Sequence, residues 1–125
     1  MILAVLDDLM FSSKIKTAAN QLGVDLRFSR SVSGALETMR KNPTTLVIFD
    51  LNNERIGPLA IVAAMKEDPA LASIATVGYA SHVQTDVINE ARQAGVGEVL
   101  ARSAFTQQLG DILTRHREPT QNPEP

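Results

Sequence analysis

Six apolar residues in a row, Met1-Ile2-Leu3-Ala4-Val5-Leu6, open the chain and run into two carboxylates, Asp7-Asp8. A second apolar run, within Thr45-Leu46-Val47-Ile48-Phe49, also ends on a carboxylate, Asp50. Runs without polar alternation suit parallel strands covered on both faces. Val24, Leu26 and Phe28 instead alternate with Asp25 and Arg27, the pattern of a strand with one wetter face at a sheet edge. Helical spacing relates Phe11, Ile15, Ala18, Ala19 and Leu22, and Gly23 stops that helix. Val32, Ala35, Leu36 and Met39 make a second amphipathic helix, closed before Asn42-Pro43. Gly57-Pro58 opens a third, carrying Leu59, Ile61, Val62 and Met65 and broken by Glu67-Asp68-Pro69. Ile74 to Tyr79 reads as a fourth strand. Ser81 and Gln84 have the spacing of a capping box for a helix holding Val87, Ile88 and Ala91. Gly95 and Gly97 bracket a turn into a short fifth strand, Glu98-Val99-Leu100-Ala101. The last helix is expected from about Thr106 to His116, with Leu109, Ile112 and Leu113 inward.

Five strands alternating with five helices predict an α/β fold, a doubly wound five-stranded parallel sheet. A chain of 125 residues can bury one good core, and the pattern assigns residues 1–116 to a single domain. Arg117-Glu118-Pro119-Thr120-Gln121-Asn122-Pro123-Glu124-Pro125 is polar and proline-rich, and is expected to be a disordered tail. A formal net charge of -2 gives no electrostatic case for nucleic acid. Cysteine is absent, which rules out thiolate chemistry and suits a reducing cytoplasm. Leu59 to Met65, the longest apolar stretch away from the strands, is too short to cross a bilayer. Met1 leads straight into a strand with no basic segment before it, so no signal peptide is expected.

The candidate chemistry lies where the strands end. In a parallel sheet the carboxyl ends of neighbouring strands bring their side chains into one crevice. Asp7, Asp8 and Asp50 gathered there repel one another unless a hard cation or a basic side chain joins them. Taken singly, Asp50 can cap the following loop and the acidic pair can serve as charge at a helix start. Asn52-Asn53-Glu54-Arg55 reads as a solvated polar loop. His82 and His116 have no Cys or His companion at ligand spacing, so no zinc site is expected. Ser12-Ser13 lies at a helix start but lacks the glycine-rich spacing of a phosphate loop.

In this order of elements, with Asp7-Asp8 after the first strand and Asp50 after the third, the chain resembles the receiver domain of two-component response regulators. The resemblance runs from end to end apart from the tail, and implies the flavodoxin-like (βα)5 fold. It makes Asp50 the phosphoacceptor, places Asp7, Asp8, Asp50 and Asn52 around a Mg²⁺ site, and matches Gly57 to the glycine closing the loop. Asp7 and Asp8 compete for the acidic-pair slots, since counting back from Gly23 puts Leu6 and Asp7 there instead.

Spacing from Asp50 puts Ala80 in the slot the resembled family fills with Thr or Ser, and Arg102 in its lysine slot, followed by Ser103 rather than proline. Val99 stands where a switching aromatic is usual. Ala80 has no donor, and Ser81 replaces it only if the strand ends early, because successive strand residues point to opposite faces. Arg102 keeps the charge as a rigid fork suited to carboxylates; it is expected either to lock Asp50 in a salt bridge that competes with the metal or to hold a phosphate.

Three readings follow, in order. The first is a stand-alone receiver-like signalling module, a pseudo-receiver acting through protein–protein contact with its phosphorylation switch altered or lost. The second is a working receiver that takes phosphoryl from a histidine kinase on Asp50 with Mg²⁺. The third is an enzyme or cofactor binder on the same architecture, disfavoured because no nucleophile–base pair and no glycine-rich first turn are present. The expectation is therefore no enzymatic activity, a protein partner (a histidine kinase or an output protein), and a monomer or weak homodimer. The partner surface implied is the face of the fourth helix, fifth strand and fifth helix, with a basic bias from Arg92, Arg102, Arg115 and Arg117.

Overall fold

The structure, a computed structural model, describes residues 1–81 and 85–117. Strands and helices alternate: β1 (Ile2–Val5), α1 (Leu9–Leu22), β2 (Leu26–Ser29), α2 (Val32–Lys41), β3 (Leu46–Asp50), α3 (Pro58–Glu67), β4 (Ala75–Ala80), α4 (Thr85–Ala94), β5 (Glu98–Ala101) and α5 (Arg102–Arg115). The strands form one parallel sheet in the order β2-β1-β3-β4-β5. The two unbroken apolar runs are the inner strands β1 and β3, buried along their length up to Asp50. The alternating run is β2 at one edge, as its wetter face predicted.

Each face of the sheet has its own core. Leu3, Val5, Val47 and Phe49 meet Met39 of α2, Ile61, Val62 and Met65 of α3, and Ala91 of α4. Ile2, Ala4, Ile48, Val77 and Tyr79 meet Phe11, Ile15 and Ala19 of α1, with Phe105, Leu109, Ile112 and Leu113 of α5. Burying one such side chain contributes roughly 1.5–3 kcal/mol, so the two cores supply most of the folding drive.

The punctuation residues act as their chemistry requires. Gly23 adopts φ 68 and closes α1, with the Gly23 N–H donating to Asn20 and the Val24 N–H to Ala19; only glycine takes that left-handed turn without strain. Ser31 caps α2 by accepting the Gly34 N–H at 3.0 Å. Pro58 is the first residue of α3.

β2 begins at Leu26 and not at Val24, whose N–H is taken by the Ala19 carbonyl in closing α1; two further boundary differences matter for the site. β4 runs from Ala75 to Ala80, one residue later than the apolar run implied, because Ala80 stays in the ladder opposite Ala101. α5 starts at Arg102 rather than near Thr106, because Phe105 extends the inward stripe of Leu109, Ile112 and Leu113 back by a turn. Its N-cap, Ala101, has no side-chain oxygen to announce the start. Gln84 of the expected capping box, His82 and the tail beyond Arg117 lie outside the described residues.

Candidate functional site

The carboxyl ends of β1, β3, β4 and β5 meet at one edge of the sheet, and the acidic residues gather there. Asp8 ends the β1 turn as the N-cap of α1. One of its oxygens accepts the Phe11 N–H at 3.0 Å and the other accepts Arg102 Nη2 at 2.9 Å. The Phe11 N–H first, and then the guanidinium, hold this carboxyl below the ordinary carboxylate range. Asp7 turns the other way, toward the loop after β3. It accepts Asn53 Nδ2 at 2.7 Å on one oxygen and Arg55 Nη2 at 2.8 Å on the other.

Asp50, the last residue of β3, is half-buried. Its Oδ1 accepts the Asn52 N–H at 3.0 Å, an Asx turn that starts the loop. Burial pushes its carboxyl up, against smaller pulls downward from the Asn52 N–H and the Arg102 charge. The side chain of Asn52 reaches across the edge, where Oδ1 accepts the Ser81 N–H at 2.8 Å.

Arg102 lies flat against α1, its guanidinium carbon 4.3 Å from the Phe11 ring centroid and 5.8 Å from that of Tyr79. Such stacking preorganises the fork for its carboxylate partner. Below it, Tyr79, Phe11 and Phe105 form an aromatic cluster, with Tyr79 centred 4.9 Å from each of the other two rings. Tyr79 pairs with Asp50 in the β3–β4 register, and in-register neighbours on parallel strands face the same side. Its hydroxyl is buried and has no hydrogen-bond partner among the described residues. Burial, and then the charge of Asp50, push the phenol up. A cleft of about 710 Å³ opens beside the cluster, lined by Asp8, Phe11, Lys14, Ser81, Arg102 and Thr106 among others.

The structure thus brings together Asp7, Asp8, Asp50, Asn52, Ser81 and Arg102, and corrects two expectations. Arg102 does not lock Asp50: its ion pair is with Asp8, because α5 begins at Arg102 and directs the side chain over α1. The polar loop is not merely solvated, since Asn52, Asn53 and Arg55 all bond across the edge. Ala80 is wholly buried and belongs to the α2–α3–α4 core, and Val99 packs partly buried against the same core. β4 does not end early, so Ser81 does not take over the strand slot of Ala80. Of the arginines expected to make a basic face, Arg102 is bound to Asp8, Arg115 sits 3.9 Å from Glu98, and Arg117 donates to the Leu22 carbonyl. Sequence reasoning missed the partnership of Asp7 with Arg55 and the role of Tyr79. The second had a legible signal, the one phenol of the chain in a buried strand next to that of the key carboxylate.

As placed, these residues do not fit a divalent cation. Both oxygens of Asp7 and both of Asp8 already accept donors, and two of those donors are guanidiniums. Among the described residues no group of three acids or histidines has metal-holding geometry. Mg²⁺ demands near-octahedral oxygen at close range and is repelled by fixed positive charge at its ligands. No helix among the described residues is long and apolar enough to cross a membrane.

No protein family and no curated protein matches the chain by sequence. Solved structures do match in fold. A response regulator from Hahella chejuensis is 18% identical with a TM-score of 0.79, and the match covers 90% of this chain and 91% of that one. The phosphorylated cyanobacterial phytochrome response regulator RcpA is 24% identical with a TM-score of 0.73, covering 91% and 88%. The Mn²⁺-bound form of response regulator Rcp1 is 18% identical with a TM-score of 0.74, covering 94% of each chain. The chain therefore has the flavodoxin-like receiver fold of these proteins.

Proposed function

We propose that this protein is a receiver-fold signalling module of two-component type that acts through protein–protein contact and has lost the usual phosphorylation switch. The observation that carries the reading is Ala80. At the strand position that spacing from Asp50 matches to the Thr or Ser slot, it is wholly buried, in register with Ala101, and its side chain has no donor. A hydrogen bond to a charged group is worth roughly 1.5–3 kcal/mol, enough to bias a two-state element tenfold or more, and the methyl of Ala80 cannot supply it. Val99, packed into the same core, supplies no aromatic to follow it. Fold likeness alone does not assign function, so the weight falls on these two positions. The partner proposed is a histidine kinase or an output protein, meeting the face of α4, β5 and α5.

A second reading, phosphoryl acceptance on Asp50 with Mg²⁺, is favoured by one observation. Asp50 is in no ion pair among the described residues and accepts one backbone N–H, so an oxygen stays open to attack. The two readings separate on amide chemical shifts recorded during titration with Mg²⁺ and then beryllofluoride. The first expects no saturable shifts that spread into α4 and β5. Saturable shifts that spread there and vanish in Asp50→Ala would establish the second.

A further inference from the structure

We infer that Arg55 and Arg102 stand in for the divalent cation of this acidic edge, so that its charge is balanced within the chain and needs no metal. The inference deepens the proposed reading and rests on it for the pocket's lack of switching. It is carried by the arrangement of Asp7, Asp8 and Asp50.

Two of the three carboxylates meet guanidiniums, Arg55 on Asp7 at 2.8 Å and Arg102 on Asp8 at 2.9 Å, and Asp50 is in no ion pair among the described residues. The sum leaves one negative charge, which is what a divalent cation would leave. The positions are also complementary. Arg55 comes from the loop after β3 and reaches the turn after β1, whereas Arg102 comes from the start of α5 and reaches the N-cap of α1. Asn53 donates to Asp7 beside Arg55, and Asn52 ties the same loop to Ser81. The loops after β1, β3 and β4 and the start of α5 are therefore joined by hydrogen bonds and ion pairs of this chain's own residues, the task a shared cation performs when it bridges ligands.

The two arginines are not equal. Arg102 is anchored by the Phe11 ring and is about half exposed, at 48%. Arg55 is 83% exposed and held only at its tip. Solvent screens the Arg55 pair more, so Arg102 carries more of the exclusion.

The test is Mn²⁺ titration of isotope-labelled, chelator-treated protein, read by paramagnetic broadening of the amides near Asp7, Asp8 and Asp50. Wild type is expected to show no saturable broadening there up to millimolar Mn²⁺. The double variant Arg55→Gln with Arg102→Gln is expected to gain it, tightening at least tenfold, with Arg102→Gln alone giving the larger share. Arg55→Gln, at an exposed side chain, keeps the test available if the double variant does not fold: it is expected to gain a weaker but saturable response. Sub-millimolar binding by wild type would overturn the inference, as would folded arginine variants that stay silent. The two proposals also fail separately. Wild type that binds Mn²⁺ yet shows no spread of shifts with beryllofluoride removes the cation replacement and leaves the interaction module standing.

Discussion

Asp8 and Asp50 carry the same functional group, and their environments drive it in opposite directions. Asp8, held down by the Phe11 N–H and Arg102, stabilises the fold above the ordinary carboxylate value of about 3.9, and that contribution is lost as pH falls through its lower folded value. Asp8→Ala is expected to cost about 1 kcal/mol at pH 7 in urea denaturation, the worth of a helix cap, with the difference disappearing in acid. Asp50 has the reverse sign. Its folded value is raised, so the ionised carboxylate carries a cost above that value, relieved as pH falls through it. Asp50→Asn is expected to raise the thermal midpoint at pH 7, with a gain that shrinks toward acid; a lower midpoint would contradict that burial dominates. Tyr79→Phe removes a buried hydroxyl without a partner among the described residues and is expected to stabilise by about 1 kcal/mol in the same assay.

At the scale of elements, β4 is fixed from both sides. A Cβ at Gly78 would lie 2.6 Å from Leu51 Cδ1, and Leu51 is itself buried in the α2–α3–α4 core. Gly78→Ala is expected to cost about 1–3 kcal/mol by overpacking, measurable as a lower urea midpoint with unchanged slope. The inner strands were legible because β1 and β3 are buried on both faces and so contain no polar break before their terminal carboxylates. The helix ends at Gly23 and Pro58 were legible for the same kind of reason, a residue whose backbone chemistry has few alternatives. The start of α5 was not, since Ala101 offers no side-chain oxygen as a cap, and Phe105, four residues before Leu109, was the one sign of the extra turn.

Across the whole molecule, two apolar layers hold a sheet whose carboxyl edge gathers Asp7, Asp8 and Asp50 with the guanidiniums of Arg55 and Arg102. Phe105, fully buried between α5 and the sheet, is expected to cost about 3–5 kcal/mol when changed to Ala, a loss that calorimetry would register as a large fall in midpoint. The location of the site could be inferred from the chain because strand ends determine it. Which arginine meets which carboxylate could not, because Arg55 and Asp7 are joined by the reach of two loops and not by any periodicity. Tyr79 adds one practical property. It is the single tyrosine of a chain without tryptophan, so light absorbed or emitted to the red of the phenylalanine bands comes from one ring, stacked on Phe105 with Arg102 nearby and Asp50 as its neighbour in register. The molecule carries its own label-free optical reporter, already placed beneath the acidic edge.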